Sequence, residues 1–309
     1  MQRILITGAS GFIGSHVSRE AARTGRELTL MSHRRPPQLP LDGPSRVVHA
    51  NLADPTSLRG LCDGVDVLMH CASQIGGTPQ SSRAVNARGT AALVAEAQRA
   101  GVSRIVYLST ASVYGRGTFR CARPEELLRR PQSPTSQTRA AAEDTVLAAG
   151  GIVLRPHLVY GRGDTWVVPG LIRLLQAMSG TPTGWNAKLS VIAATELAAL
   201  IVAVGLNSRE ELSTSVYHAA YPAPVTVSAL LQAVAECMTP PPTLRNFSHT
   251  QTRSRLDENH EAAHALDMLA TDHWFDSAPI WSDLGRLPGS PWDTDFPCLK
   301  EWYGVRAAA

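Results

Sequence analysis

RILITGASGFIGSHVSREAARTGRELTLMSHRR, residues 3–35, decides the fold. The opening Ile/Leu-rich run predicts a buried strand, TGASGFIG a turn, the next stretch a helix from about Phe12 to Thr24, and ELTLM a second strand. Gly8 permits the tight turn, Gly11 lets a backbone approach a pyrophosphate, and Gly14 lets the helix pack close to the sheet. Ser10, Phe12 and Ile13 complete the turn and the helix mouth, so all six are candidate dinucleotide-binding residues. A glycine triplet alone is weak evidence, but its place between a strand and a helix gives it meaning.

The end of the second strand distinguishes the two nicotinamide dinucleotides. An acid there would bind a ribose 2′-hydroxyl and repel a 2′-phosphate. This chain has Ser32, His33, Arg34 and Arg35 instead. A hydroxyl and two guanidinium forks suit a phosphate, so NADP(H) is the expected cofactor. The competing reading is a solvated basic loop.

Further apolar runs follow at helix-length spacing: RVVHA (46–50), VDVLMH (65–70), RIVYLS (104–109) and GIVLRP (151–156). Such runs imply a parallel sheet covered on both faces, hence an α/β, Rossmann-type, doubly wound fold. After about Tyr160 the pattern loosens, with Pro, Gly and Trp through 161–190 and a polar stretch at 245–265. The expected division is a Rossmann domain over 1–160, with part of 185–220 returning to it, and a smaller substrate-binding lobe over 161–309.

At 309 residues, 44% hydrophobic and 18% charged, the chain has the composition of a globular enzyme and no apolar run near the ~18 residues of a membrane span. A formal charge of +3, spread along the chain, does not indicate a nucleic-acid surface. Cys62, Cys71, Cys121, Cys237 and Cys298 show no C-x-x-C spacing, so neither a disulfide framework nor a metal site is expected, and a reducing cytoplasm fits. The first strand begins three residues from Met1, where no signal peptide is expected. Nothing in the sequence specifies an oligomeric state.

Together these features resemble the extended short-chain dehydrogenase/reductases, the superfamily of NAD-dependent epimerases and dehydratases. Its marks continue as Asn51-Leu52, HCAS at 70–73, NARGT at 86–90, STASVYG at 109–115, LRPHLVYG at 154–161, and DLG followed by Pro288. The resemblance implies that Asn51 and Leu52 flank adenine, that Cys71, Ala72, Ser73 and Asn86 lie along the cofactor, and that the Pro156-His157-Leu158 backbone meets the nicotinamide carboxamide. Asn51 replaces the usual Asp, and an amide can still hydrogen-bond adenine.

The catalytic motif departs further from the family. Members carry a Tyr and, four residues later, a Lys that lowers the phenol pKa for proton transfer. The matching stretch, PTSQTRAAAE, puts Thr135 and Arg139 at those positions, with Glu143 and the alanines fixing the register. None of the six tyrosines is followed four residues on by a lysine; the chain has only Lys188 and Lys300. A threonine hydroxyl is too weak an acid to replace the phenol, and arginine stays charged.

Hydride transfer does not itself need that tyrosine, provided the carbonyl is held in line and its oxygen meets a donor. Thr110, at the family's Ser/Thr position, is the leading donor, Ser112 a second expected one turn away, and Arg139 the candidate holder of the cofactor ribose. Loss of the pair beside a kept cofactor site is similar to atypical ketoreductases of aromatic polyketide (angucyclinone-type) antibiotic pathways. That likeness implies an aromatic ketone substrate whose neighbouring phenol or enol buffers charge. Two other readings stand beside it: a nucleotide-deoxysugar ketoreductase, and a protein that senses NADP(H) without turnover. Against the first, the only basic residues between Gly163 and Met238 are Arg173, Lys188 and Arg209.

His157 reads either as a general acid or as a residue satisfying local bonds, the second being the stronger. Trp166 and Trp185 are candidates to stack on a substrate ring, whereas Trp274, Trp281, Trp292 and Trp302 are expected to pack the C-terminal lobe. Tyr114 is expected to be structural, pointing away from the carbonyl.

Overall fold

The computed structural model describes residues 2–37, 44–178, 181–182, 185–239, 242, 244–245, 266 and 268–307. Nearly all of the polar stretch at 245–265 lies outside them. Strands in chain order are Arg3–Thr7 (β1), Glu27–Ser32 (β2), Ser45–His49 (β3), Val67–His70 (β4), Arg104–Leu108 (β5), Phe119–Ala122 (β6), Ile152–Arg155 (β7) and Leu158–Tyr160 (β8). There follow Thr181–Pro182 (β9), Lys188–Leu189 (β10), Val191–Ala193 (β11), Val216–His218 (β12), Val225–Thr226 (β13), Leu244–Arg245 (β14) and His273–Phe275 (β15). The helices are Phe12–Ala22 (α1), Pro79–Ser82 (α2), Thr90–Arg99 (α3), Pro134–Ala148 (α4), Val167–Met178 (α5), Ala194–Leu206 (α6), Val227–Ala235 (α7), Ala278–Asp283 (α8), Trp292–Asp295 (α9) and Lys300–Ala307 (α10).

The main sheet has seven parallel strands in the order β12-β7-β5-β4-β1-β2-β3. Because strand side chains alternate, the inner strands feed two cores. The edge strand β3, formed by the RVVHA run, is exposed except for the half-buried Val48, which corrects the expectation of cover on both faces. Ile4, Ile6, Leu28, Leu30, Val67, Met69, Val106 and Leu108 join Val17 and Ala21 of α1 and Leu197, Leu200 and Ile201 of α6 on one face. Leu5, Leu68, Ile105, Tyr107 and Val153 meet Leu93 and Val94 of α3 and Ala142 and Val146 of α4 on the other. That double covering is the Rossmann-type architecture expected from the continuous apolar runs.

A smaller four-stranded sheet, β13-β10-β15-β6, accompanies a separate core of α5 and α7 residues with Tyr160, Trp292, Phe296 and Tyr303. The two halves interleave along the chain. Residues 119–122, before position 160, pair in the small sheet, whereas α6, β12 and α8 pack in the main half. Trp281 of α8 corrects an expectation: it sits in the main core, its indole N–H donating to the Ala220 carbonyl at 2.8 Å. Trp292 and Trp302 do pack the second core, and Trp274 lies under the Lys188 ammonium.

Candidate active site

The chain runs from β1 outward through β2 and β3, then returns past β1 to β4, which makes a switch point between β1 and β4. Loops leaving the carboxyl ends of β1, β4, β5 and β7 converge there, as open α/β sheets require of a ligand crevice. Those loops carry Gly8–Gly14, Cys71–Ser73, Ser109–Ser112 and Pro156–Leu158.

Gly8 has φ +71°, and a Cβ there would stand 2.8 Å from the Ala72 backbone. A Cβ at Gly14 would stand 2.0 Å from the Gly8 carbonyl oxygen, so α1 approaches the turn as closely as a glycine allows. At Gly11 the same carbonyl would be 3.2 Å away, with open space otherwise. Gly11 caps α1 without a side-chain hydrogen bond, so the first turn offers amide N–H groups and the positive helix end to an anion. This cradle fits a dinucleotide pyrophosphate. Ser10 is exposed at its tip; Phe12 and Ile13 are half-buried. The loop after β8 covers Phe12: Gly163 would bring a Cβ 3.2 Å from its ring, and the Arg162 carbonyl meets His16 Nε2 at 2.8 Å.

The β4 loop is tied down from two sides. Thr7 Oγ1 accepts the Ala72 N–H at 3.2 Å and contacts His70 Nδ1 at 2.6 Å, while His70 Nε2 meets Thr90 Oγ1 at 2.9 Å. Burial drives His70 down to about 3, leaving it neutral, and pushes the Cys71 thiol up to about 12. Asn86, in a wide helical turn over Arg83–Gly89, accepts from Gln74 N at 2.7 Å and Ser73 Oγ at 3.3 Å. Its amide donates to the Gln74 carbonyl at 2.9 Å and Thr138 Oγ1 at 3.1 Å. With its donors and acceptor spent inside the protein, Asn86 shapes the loop that would line a cofactor.

Ser32 changes the reading of the phosphate end. It is buried, and its hydroxyl donates to the Arg35 carbonyl at 2.8 Å, so its proton builds the turn. His33, Arg34 and Arg35 are exposed there. Asn51 Oδ1 accepts the Ala53 N–H at 3.0 Å, and Leu52 is buried against Gly89.

At the reactive end, Ser133 caps α4 in a reciprocal box with Ser136, which places Thr135 in the first turn and Arg139 one turn on. Thr135 is half-buried and Arg139 buried. One Arg139 Nη donates to the Leu108 carbonyl, the other to Ser73 Oγ at 3.3 Å, and the guanidinium lies 5.9 Å from the Tyr107 ring. Arg139 Nε is buried with no hydrogen-bond partner, an orphan donor that a ligand oxygen would satisfy. Thr110 and Ser112 share one turn instead of lying a turn apart: their hydroxyls are 3.0 Å apart and Thr110 Oγ1 accepts the Ser112 N–H at 3.2 Å. Ser112 is exposed and Thr110 half-buried.

Past β7, the Pro156 carbonyl accepts the Ala111 N–H at 2.8 Å and the Leu158 N–H bonds to Ser190 O at 3.2 Å. His157 packs against His273 and Phe275, with ring centroids 5.6 and 5.8 Å away, and burial lowers it to about 3. A ring so far below neutrality is a poor general acid, which favours its local role. Trp166 is 56% exposed, free to meet a substrate, whereas Trp185 is partly buried against the second core. Sequence reasoning missed Thr7 and Thr138, which meet His70 and Asn86 across 63 and 52 positions of the chain. Among the described residues no cluster of His, Cys, Asp or Glu could hold a metal ion, and no helix is long and apolar enough to cross a membrane.

The model of the NAD dependent epimerase/dehydratase family matches residues 4–220. The chain is 33% identical over 184 residues to the 2-alkyl-3-oxoalkanoate reductase of Stenotrophomonas maltophilia, covering 55% of this chain and 54% of that protein. It is 29% identical over 180 residues to a 4-hydroxy-2-methyl-3-oxo-4-farnesyl-3,4-dihydroquinoline-1-oxide ketoreductase of Stigmatella aurantiaca, with the same coverages, 55% and 54%. The matches thus span about half the length of these reductases. Among solved structures, the Bordetella bronchiseptica enzyme WbmH in complex with NAD+ superposes over 100% of both chains with a TM-score of 0.77 at 20% identity, a likeness of fold.

Proposed function

The chain belongs to the NAD dependent epimerase/dehydratase family, and from that premise we propose that it is an NADPH-dependent ketoreductase acting on an aromatic polyketide ketone of angucyclinone type. One observation carries the reading: the helix face that would present a phenol and an ammonium presents Thr135 and Arg139, beside the paired hydroxyls of Thr110 and Ser112. A bound dihydronicotinamide supplies a hydride. The glycine turn and the α1 N-terminus would hold its pyrophosphate, Arg34 and Arg35 its 2′-phosphate, and Arg139 Nε a ribose oxygen.

The protein's own part is placement and charge. Thr110 Oγ1 accepts the Ser112 N–H, and with the Ser112 hydroxyl donating to it as well, the Thr110 O–H is left for a substrate oxygen. A hydroxyl donor and a nearby guanidinium stabilise developing alkoxide charge without giving up a proton at neutral pH. As the carbonyl carbon gains a hydride, the oxygen takes its proton from a neighbouring phenol or enol of the substrate, which then regains one from water. The two relatives named as ketone reductases support carbonyl reduction, and the scarcity of basic residues in the second lobe weighs against a nucleotide-linked sugar.

The test is NADPH consumption with purified protein against polycyclic aromatic ketones, 3-oxoalkanoates and nucleotide-linked keto sugars. Turnover of the aromatic ketones is expected; turnover confined to another class overturns the substrate, and none with any class overturns the ketoreductase.

A further inference from the structure

Thr110 and Ser112 sit on a short turn with few hydrogen bonds of its own. Val113 N reaches Thr110 O at 3.4 Å and Gly115 N reaches Ser112 O at 3.1 Å, the loose pattern of a 3₁₀ turn. Backbone bonds from Ser109 N to Leu154 O and from Ala111 N to Pro156 O, both 2.8 Å, and from Arg130 N to Val113 O at 2.9 Å tie the turn to its neighbours. Side chains add to them where rate depends steeply on the place of a donor.

Both ends of this turn run into one buried ion pair. Ahead of Thr110, Ser109 Oγ donates to Glu143 Oε1 at 2.5 Å. Arg155 donates Nε to Glu143 Oε1 at 2.9 Å and Nη2 to Oε2 at 2.5 Å, a fork on one carboxylate. Its remaining Nη1 donates to the Tyr114 phenol oxygen at 2.7 Å, at the far end of the turn. Arg129 adds a bond to Glu143 Oε2 at 3.2 Å from the outer side.

Tyr114 passes the chain on. Burial pushes its phenol up to about 12 and His218 down to about 3, so both are neutral. Tyr114 therefore donates to His218 Nε2 at 2.6 Å, and His218 Nδ1–H faces the Asp276 carbonyl at 3.3 Å. Glu143, Arg155, Tyr114 and His218 are all at most 5% exposed. A buried ion pair offsets its desolvation only with such complete pairing. Glu143 also lies one helical turn beyond Arg139 on α4, so the pair refers the Thr110 turn to the helix that carries Thr135 and Arg139.

We infer that the Glu143–Arg155 pair clamps the Thr110–Ser112 turn at both ends, making Tyr114 a positioning residue for the Thr110 hydroxyl; the second clause rests on the donor role given to Thr110 above. Tyr114→Phe cuts the far end while keeping the ring and its packing.

Two measurements on the full chain separate the claims. Hydrogen exchange of the 109–115 segment in Tyr114→Phe should speed up while the α1 segment is unchanged; unchanged exchange at 109–115 overturns the clamp whether or not any ketone is reduced. In a double-mutant cycle on an aromatic ketone, Tyr114→Phe should lower kcat about 10- to 100-fold with KM for NADPH nearly unchanged. Added to Thr110→Val, it should cost little more. Full additivity of the two losses overturns positioning through Thr110, and a Thr110→Val variant with normal kcat overturns the donor role while the exchange result still judges the clamp. Should Tyr114→Phe fail to fold, Ser109→Ala severs the near end and carries the same two expectations.

Discussion

A methyl group at Gly14 would stand 2.0 Å from the Gly8 carbonyl oxygen and 2.6 Å from its carbonyl carbon. Carbon and oxygen atoms that are not bonded normally approach no closer than about 3.3 Å, so Gly14→Ala demands an opening of more than about 1 Å. Neither side yields easily. Gly8 is pressed on the Ala72 backbone at positive φ, and α1 is packed against α6 and the sheet. Overpacking of this kind costs about 3 kcal/mol or more, at the upper end of the usual range. At roughly 2–4 °C per kcal/mol for a large domain, Tm should fall by about 6–12 °C. NADPH binding should fall with it, since the first turn of α1 is displaced. Gly11→Ala is the matched comparison: its Cβ would meet only the Gly8 oxygen at 3.2 Å, so Tm should barely move while NADPH binding weakens, and Gly11→Val should abolish it. Scanning calorimetry and isothermal titration read the two effects. A Gly14→Ala protein with wild-type Tm and NADPH affinity would refute the close helix–turn approach, and a Gly11→Val protein that binds normally would make the turn purely structural.

Arg34→Ala should weaken NADPH by about 1.5–3 kcal/mol and leave NADH unaffected, a loss typical of a charge-assisted phosphate contact; equal affinities of the native protein for both cofactors would remove the basis for this. Thr135→Val should reduce turnover only modestly, whereas Thr110→Val should cost more, because only the latter loses a donor to the alkoxide. A substrate analogue with its neighbouring phenol methylated should bind yet react far more slowly; normal reaction of that analogue, with Thr135→Val crippled, would place the proton source in the protein. Stability should also depend on pH. His70, His157 and His218 are lowered to about 3 by burial, so unfolding lets each take up a proton near its ordinary value of about 6.5. Stability is then complete above about pH 6.5 and declines as the pH falls toward 3, by up to about 1.4 kcal/mol per pH unit for each ring. Urea midpoints that stay constant between about pH 7.5 and 5 would contradict this burial.

The strands β1, β2, β4, β5 and β7 were legible because each is a continuous apolar run buried on both faces, whereas RVVHA reads alike and forms the exposed strand β3, because it ends the sheet. The seventh strand, Val216–His218, has only three residues and no apolar run, so the expectation could place it no better than somewhere in 185–220. Ser32 shows a different limit. Its type suited a phosphate, but the local turn, closing on the Arg35 carbonyl, claimed its proton. Trp281 was misplaced because α8 crosses back to the main core, and nothing in its own neighbourhood of sequence records that return.

By itself the sequence determined the features whose cause is local. The positive φ of Gly8 and the contact of Gly14 with a residue six positions away follow from glycine's missing Cβ, and the register of α4 follows from its own helical spacing. Tertiary structure alone decided the long-range polar pairing. Glu143 finds Arg155 twelve residues on, Arg155 finds Tyr114 across 41, and Tyr114 finds His218 across 104. Such groups must be paired once buried, yet any of several arginines or histidines would read equally well in the sequence. The partner is chosen by which strands become neighbours, and that choice is made by the packing of the whole sheet.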